Sequence, residues 1–154
     1  MIGLILAGMA AAGWADYTNV KYGYFSCYPS RIMRAHGEPA AGDGQFATAR
    51  DGGEWRVWGH YAPDGTPSRN LASEAESLKA DLAGRRGVIT YSITRPGWTV
   101  FSGRNDKTIF WVKVMTRDDR VATIQLTYPI AQAAKYQSIP STLNSCSKMG
   151  TAPF

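Results

Sequence analysis

Residues 36–45 of the chain, with the sequence HGEPAAGDGQ, combine the residue types that most often bind phosphates or metal ions. The segment contains three glycines, two acidic residues and one histidine. Glycine-rich loops can bind phosphate groups through backbone amides, and carboxylates and imidazoles are common metal ligands. Each of these chemistries also requires a particular spacing and structural context, which decide whether the loop is a site.

Two phosphate-binding patterns fit this loop only in part. Gly37 and Gly42 have the spacing of a P-loop, but Asp43 and Gly44 stand where that loop has Lys and Ser or Thr. Without the lysine no cation faces the terminal phosphates, and the carboxylate of Asp43 would repel them. The spacing of GDGQFA also fits a dinucleotide-binding loop, but a predicted strand follows it where a helix N-terminus is required. We therefore expect no nucleotide cofactor.

A metal site in this loop would have to combine His36, Glu38 and Asp43. Their spacing matches no recognised ligand set, and only one imidazole is available. We therefore expect no metal, and interpret the loop as a structural segment or a surface for a partner. The glycines are expected to provide positive φ and close approach of the backbone, and Pro39 to stiffen the entry to a strand. The residues of this loop are Gly37, Glu38, Pro39, Gly42, Asp43, Gly44 and Gln45.

A second candidate site lies in the strand predicted for the segment EWRVWGHY. Alternate side chains of a strand share one face, which places Arg56, Trp58 and His60 together. With Phe101 and Lys113 on neighbouring strands, they could form an aromatic and basic surface for an anionic ligand. The competing interpretation is that a helix or loop covers this face.

Catalytic patterns are missing from the sequence, which contains neither G-x-S-x-G nor H-E-x-x-H. We expect no catalytic residues, although a Ser-His-Asp site assembled from distant segments stays open as an alternative. The net charge of +5 comes from scattered residues. Because no basic stripe with interleaved aromatics occurs, we expect no nucleic-acid partner.

The candidate residues lie on or beside predicted secondary-structure elements, and the first of these elements are strands. VKYGYFSCYP predicts a strand that ends at Pro29, because proline cannot continue a ladder. Residues 30–44 are predicted as a loop. QFATAR and EWRVWGHY predict a hairpin, since Asp51 and Gly52 give a turn signal between them.

A helix and four further strands follow. An apolar stripe at helical spacing predicts the helix, with Ser68 as N-cap and Gly84 or Gly87 at its end; the stripe is Leu71, Ala75, Leu78 and Leu82. The four strands are separated by short turns, so neighbouring strands should be antiparallel. A last helix is interrupted by Pro140. This order predicts an α+β fold, an antiparallel sheet of about six to seven strands covered by helices.

Residues 1–15, MIGLILAGMAAAGWA, predict a signal peptide that is cleaved after Ala15. The segment is uncharged, and small residues stand at positions 13 and 15. It is shorter than the ~20 apolar residues that cross a bilayer. We therefore expect one soluble domain, residues 16–154, without a membrane span, in the periplasm or secreted. A buried N-terminal helix is the alternative.

The two cysteines, Cys27 and Cys146, lie near the ends of this domain. In an oxidising compartment a single pair favours one structural disulfide, and the C-x-x-C pattern of redox proteins is missing. A disulfide between them would close a loop of more than a hundred residues, which stabilises the fold by roughly 4–5 kcal/mol in the chain-entropy model.

Three segments, YGYFSCYPS, GEPAAGDGQFATARDG and GWTVFSGRNDKTIFWVKVM, resemble in order and spacing a family of small exported proteobacterial proteins without assigned function. That family looks like members of the PsbP and Mog-type fold, an antiparallel sheet flanked by helices. The resemblance implies a role in binding, assembly or chaperoning. The chain departs from the family at Phe46, where arginine is usual, and at Cys146, where an apolar aromatic is usual.

Together these observations predict an exported binding or adaptor protein, or an assembly factor, whose partner is another envelope protein. One alternative is a secreted inhibitor or immunity-type protein that inserts loop 36–45 into its target. The other alternative is an uncatalogued hydrolase.

Overall fold

Ten strands in two antiparallel sheets, together with three α-helices, make up the structure, a computed structural model that describes residues 12–151. The strands are β1 (Ala15–Asn19), β2 (Tyr24–Tyr28), β3 (Arg34–Ala35), β4 (Gly44–Thr48), β5 (Glu54–Tyr61), β6 (Val88–Arg95), β7 (Trp98–Arg104), β8 (Thr108–Arg117), β9 (Arg120–Pro129) and β10 (Lys148–Met149). The helices are α1 (Pro67–Ala83), α2 (Ala133–Tyr136) and α3 (Ile139–Cys146), with a 3-10 turn at Ile130–Gln132.

The large sheet has seven strands in the order β3-β4-β5-β9-β8-β7-β6. Its two halves are the predicted hairpin, extended by β3, and the predicted four-strand meander. They join where β5 pairs antiparallel with β9, from Glu54 opposite Thr127 to Tyr61 opposite Arg120. The predicted α+β fold, an antiparallel sheet covered by helices, is therefore confirmed.

The small sheet contains β1, β2 and β10, with β2 in the centre. The sequence predicts β2 but not β1, whose first residue, Ala15, lies in the predicted signal peptide. Residues 1–11 of that predicted peptide lie outside the described residues. The residues just after them contact the domain, since Trp14 packs against the core and the carbonyl of Gly13 accepts a hydrogen bond from the Arg31 amide.

Helix α1 covers one face of the large sheet, over β7 and β8. Leu71 and Ala75 of the predicted stripe are buried against Phe101, Phe110 and other apolar residues of the sheet. Its end at Gly84 agrees with the prediction, because the Gly84 amide donates to the carbonyl of Ala80.

The N-cap of α1 is Thr66, so the assignment to Ser68 was wrong. The hydroxyl of Thr66 accepts a hydrogen bond from the amide of Arg69 at 3.3 Å. Pro67 follows at the first helical position, where its fixed φ suits the helix and its missing amide costs no hydrogen bond.

The small sheet and the helices α2 and α3 cover the other face of the large sheet. The core there contains Trp55, Val57, Ile124 and Leu126 from the large sheet, packed with Tyr24 and Leu143. Cys27 of β2 is bonded to Cys146 of α3, which confirms the predicted disulfide. The predicted last helix is divided, and Pro140 lies in the first turn of α3, where proline is tolerated.

Within residues 12–151, no helix has both the length and the apolar character needed to cross a membrane.

Candidate functional site

The face of the large sheet that α1 covers continues beyond the helix towards β3. The strand register aligns one row of side chains across it: Phe46, Arg56, Gln125, Val112 and Phe101. Phe101 is fully buried beneath α1, whereas Arg56 is exposed and Phe46 is partly exposed. The helix therefore covers one half of this face and leaves the other half accessible.

We call the accessible half the open face. It consists of the outward side chains of β3, β4 and β5 and of the residue that follows β3, namely Arg34, His36, Phe46, Thr48, Glu54, Arg56, Trp58 and His60. Strands position these side chains more rigidly than a loop would, since each backbone is hydrogen-bonded to a neighbour. The face therefore presents aromatic and basic groups in a fixed arrangement.

Phe46 is the centre of the open face. The ring of His36 stacks on it with centroids 4.5 Å apart and planes 13° from parallel. The guanidinium of Arg56 lies 5.2 Å from its centroid, within the range of a cation–π contact. Glu54 holds Arg56 by an ion pair of 2.9 Å, and Nε2 of His36 lies 2.6 Å from the hydroxyl of Thr48.

Loop 36–45 borders the open face and is held by the small sheet. Four side chains from β1, β2 and the turn between them donate hydrogen bonds to it. The hydroxyl of Tyr17 donates to the carboxylate of Glu38 at 2.6 Å, and that of Tyr24 donates to the carbonyl of Asp43 at 2.8 Å. The side-chain amide of Asn19 donates to the carbonyl of Gly42 at 2.9 Å, and Nζ of Lys21 donates to the carbonyl of Ala41 at 2.8 Å. Burial, followed by the hydrogen bond to Glu38, raises the pKa of Tyr17 to about 12, so Tyr17 stays a donor at neutral pH.

A cleft of about 430 Å³ lies between the loop and the open face. Glu38 and Asp43 line it on the loop side, and Phe46, Arg56 and Trp58 line it on the sheet side. The cleft can thus contact both charged and aromatic groups of a ligand. It is the place where the two sequence-predicted candidate sites meet.

At the bottom of this cleft β4 packs so closely on β5 that position 44 has to be a glycine. A Cβ atom at position 44 would lie 1.8 Å from the carbonyl oxygen of Val57. Of the three glycines in this loop, Gly37 and Gly42 have positive φ but Gly44 does not. The glycines of this loop were expected to provide backbone freedom and close approach, and Gly44 provides the close approach.

The ligands considered for a metal do not converge in the loop. His36 turns to Phe46 and Thr48, whereas Glu38 accepts from Tyr17. The described part of the chain contains no group of three or more His, Cys, Asp and Glu side chains arranged to hold a metal ion.

The structure brings together only three of the five residues expected to form an aromatic and basic surface. Arg56, Trp58 and His60 share the open face, whereas Phe101 lies beneath α1. Lys113 lies on the opposite face, because it is opposite Ile124 while its neighbour Val112 is opposite Gln125. The competing interpretation was that a helix or loop covers this face. Helix α1 does cover the part of the face that contains Phe101.

Phe46 and Arg34 belong to the open face but were not identified as candidates. The available signal was the alternation of QFATAR, in which Phe46 and Thr48 share a face. Arg34 gave no such signal, since β3 has only two residues and lies in a segment predicted as loop.

The fold has a counterpart among solved structures. The chain is similar to cyanobacterial PsbP (CyanoP) from Synechocystis sp. PCC 6803, with a TM-score of 0.63, 16% sequence identity, and coverage of 92% of this chain and 95% of that chain. No family model matches the chain, and none of the curated proteins matches it. From the order of its strands and helices and from this likeness, we conclude that the chain has a PsbP-like fold.

Proposed function

We propose that this protein is exported and acts without catalysis, by binding another envelope protein through the open face and the adjoining loop. The observation that carries the proposal is the accessible group formed by the exposed Arg56 and the partly exposed Phe46 and Trp58, beside a loop that is anchored at four points. Aromatic residues and arginine contribute most of the binding energy in many protein interfaces.

The rigidity of this surface supports binding rather than chemistry. The strand pairing of Phe46 with Arg56 and the stacking of His36 on Phe46 fix the side chains before a partner arrives. Such preorganisation reduces the entropy lost on association. The hydrogen bonds of the described residues include no serine–histidine–carboxylate chain. A hydrolase therefore has less support than a binding protein.

An inhibitor that inserts its loop is the second candidate, because residues 36–41 are exposed while their backbone is tied to the small sheet. Rigid exposed loops change little on binding. The two candidates differ in the residues that contact the partner: the loop tip at Ala40 in an inhibitor, and Trp58 in a protein that binds through the open face.

The test uses the full chain with a photo-crosslinking residue at position 125, which lies opposite Arg56. We expect one discrete crosslinked product in the cell envelope. The same crosslinker at the exposed Arg95, the last residue of β6, is the matched control and should give none.

Two variants then separate the candidates. Loss of the product in Trp58→Ala but not in Ala40→Arg supports binding through the open face, and the reverse pattern supports an inhibitor. Equal crosslinking from positions 125 and 95 would refute both. Thermal melting of each variant shows whether it has retained its fold.

A further inference from the structure

A second cleft, which no sequence pattern predicted, opens at the edge of the large sheet beside β3. Its volume is about 630 Å³, and it is lined by the segment after β2, by the residues after β4 and by α2. We call it the basic cleft, because its charged lining residues are Arg31, Arg34, Arg50 and Lys135, with His36 at its border and no acidic side chain.

The fold brings these cations together from three separate segments. Arg34 lies opposite Thr48 in the pairing of β3 with β4, and Arg50 follows two residues later. Arg31 lies in the turn after β2, which is closed by hydrogen bonds from the amides of Ile32 and Met33 to the carbonyl of Pro29. Lys135 projects from α2. The grouping is therefore a product of tertiary structure, since positions 31, 50 and 135 are distant in the chain.

Among residues 12–151, a carboxylate neutralises one of these four cations, Lys135. Lys135 forms an ion pair with Asp51, which also accepts hydrogen bonds from the hydroxyl of Tyr136 and the amide of Gly53. Burial opposes the ionisation of Asp51, but these three donors outweigh it and hold its pKa below the ordinary value. Asp51 therefore stays ionised and committed to Lys135.

The three arginines have no such compensation. Arg31, Arg34 and Arg50 are exposed, and none forms an ion pair with a described residue. Like charges placed around one concavity repel each other, and an anion in the cleft would relieve that repulsion. Three guanidinium groups can provide paired donors to a tetrahedral oxyanion from several sides.

We propose that the basic cleft is a binding site for a phosphate group, held by the guanidinium groups of Arg31, Arg34 and Arg50. A phosphomonoester or the headgroup of an anionic phospholipid could supply that group. The two or three unesterified oxygens of a phosphate group point in tetrahedral directions, so they can accept from several guanidinium groups, whereas a planar carboxylate fits one. The site shares Arg34, His36 and Thr48 with the open face but does not depend on the protein partner proposed above.

The first experiment is calorimetric titration of the full-length protein with inorganic phosphate, and separately with acetate, at low salt because exposed charges are screened. We expect saturable phosphate binding that weakens about tenfold or more in Arg34→Gln and Arg50→Gln, the loss that one charge-assisted contact implies. Arg34→Lys should restore only part of the affinity, since lysine lacks the planar fork.

The matched control is Arg117→Gln, which removes the same charge from the exposed last residue of β8. Its affinity for phosphate should equal that of the wild type. An equal loss in this control, or acetate binding as strong as phosphate binding, would overturn the proposal, because either result reduces the effect to net charge.

The second experiment separates the two sources of the phosphate group. The protein is sedimented with vesicles of phosphatidylcholine alone and of phosphatidylcholine mixed with phosphatidylglycerol. Binding to the mixed vesicles that is lost in Arg34→Gln identifies a lipid headgroup. Binding to inorganic phosphate without binding to vesicles identifies a soluble phosphate compound. Binding to neither probe refutes the proposal, and leaves the proposed protein partner to be tested by crosslinking.

Discussion

Lys113 reaches from β8 to the end of α3, where its Nζ atom donates a hydrogen bond of 2.9 Å to the carbonyl of Ser147. A second hydrogen bond of 3.0 Å goes to the carbonyl of Asn144, and the ring of Trp98 lies 5.4 Å away. Only 7% of Lys113 is exposed. This lysine therefore caps a helix beside the disulfide and is not a surface group for ligands.

The stability of the fold should rise with pH through the ionisation of Lys113. Burial, followed by the charge of Lys148, lowers the pKa of Lys113 to about 8, whereas an unfolded lysine titrates near ~10.4. Between these values the unfolded chain binds the proton and the folded chain has released it, so raising the pH favours folding. Urea unfolding should show wild type gaining stability relative to Lys113→Met between pH 8 and 10. Exposed Lys107→Met is the control, and parallel profiles for wild type and Lys113→Met would contradict this assignment.

Removing the disulfide should cost a large part of the stability. Cys27 and Cys146 are 119 residues apart, and the chain-entropy model gives about 5 kcal/mol for a loop of that length. The double variant Cys27→Ser, Cys146→Ser should therefore melt at a lower temperature. Reductant should lower the melting temperature of wild type and leave that of the double variant unchanged. A wild type insensitive to reductant after complete reduction would refute this account.

Gly44→Ala should destabilise the hairpin of β4 and β5. The added Cβ would overlap the carbonyl oxygen of Val57, and overpacking of this kind costs typically ~1–3 kcal/mol. Gln45→Ala, at the next position, serves as the control. Chemical denaturation of both variants gives the comparison, and equal stabilities would mean that the backbone relaxes without cost.

The N-cap of α1 gives a matched pair of variants. Thr66→Ala removes the acceptor for the Arg69 amide and should cost about 1 kcal/mol. Ser68→Ala removes a hydroxyl that lies 3.4 Å from the Thr66 hydroxyl and should stay close to wild type, because the acceptor for the Arg69 amide remains. The difference is measured by thermal melting, and a larger effect at Ser68 would return the cap to the position expected from sequence.

Export is tested by the intact mass of protein recovered from the cell envelope. Cleavage after Ala15 makes Asp16 the first residue, and Asp16 lies opposite Cys27 in the small sheet. A first residue at Gly13 would also support export, but would keep Trp14 and its packing against the core. Recovery from the cytosol with residues 1–15 retained would refute export.

Local sequence determined the elements of this protein. Alternating apolar residues, the stripe that contains Leu71 and Ala75, and turn signals such as Asp51-Gly52 act over a few residues, so they predict strands, a helix and antiparallel neighbours. The pair of cysteines was enough to predict their bond. The two-residue strands β3 and β10 were missed, since two residues carry no periodicity. β1 was missed because it begins at Ala15, within the predicted signal peptide.

Only the tertiary structure decided which side chains form the surfaces. The pairing of β5 with β9 joins segments about sixty residues apart, and neighbouring residues on a strand point to opposite faces. That register placed Phe101 beneath α1 and Lys113 against α3, and left Phe46 and Arg56 accessible. The basic cleft likewise depends on contacts between distant segments, because packing and not local propensity places Lys135 near Arg50. Sequence periodicity thus predicts which residues share a strand face, while the packing of the two layers decides which faces remain open.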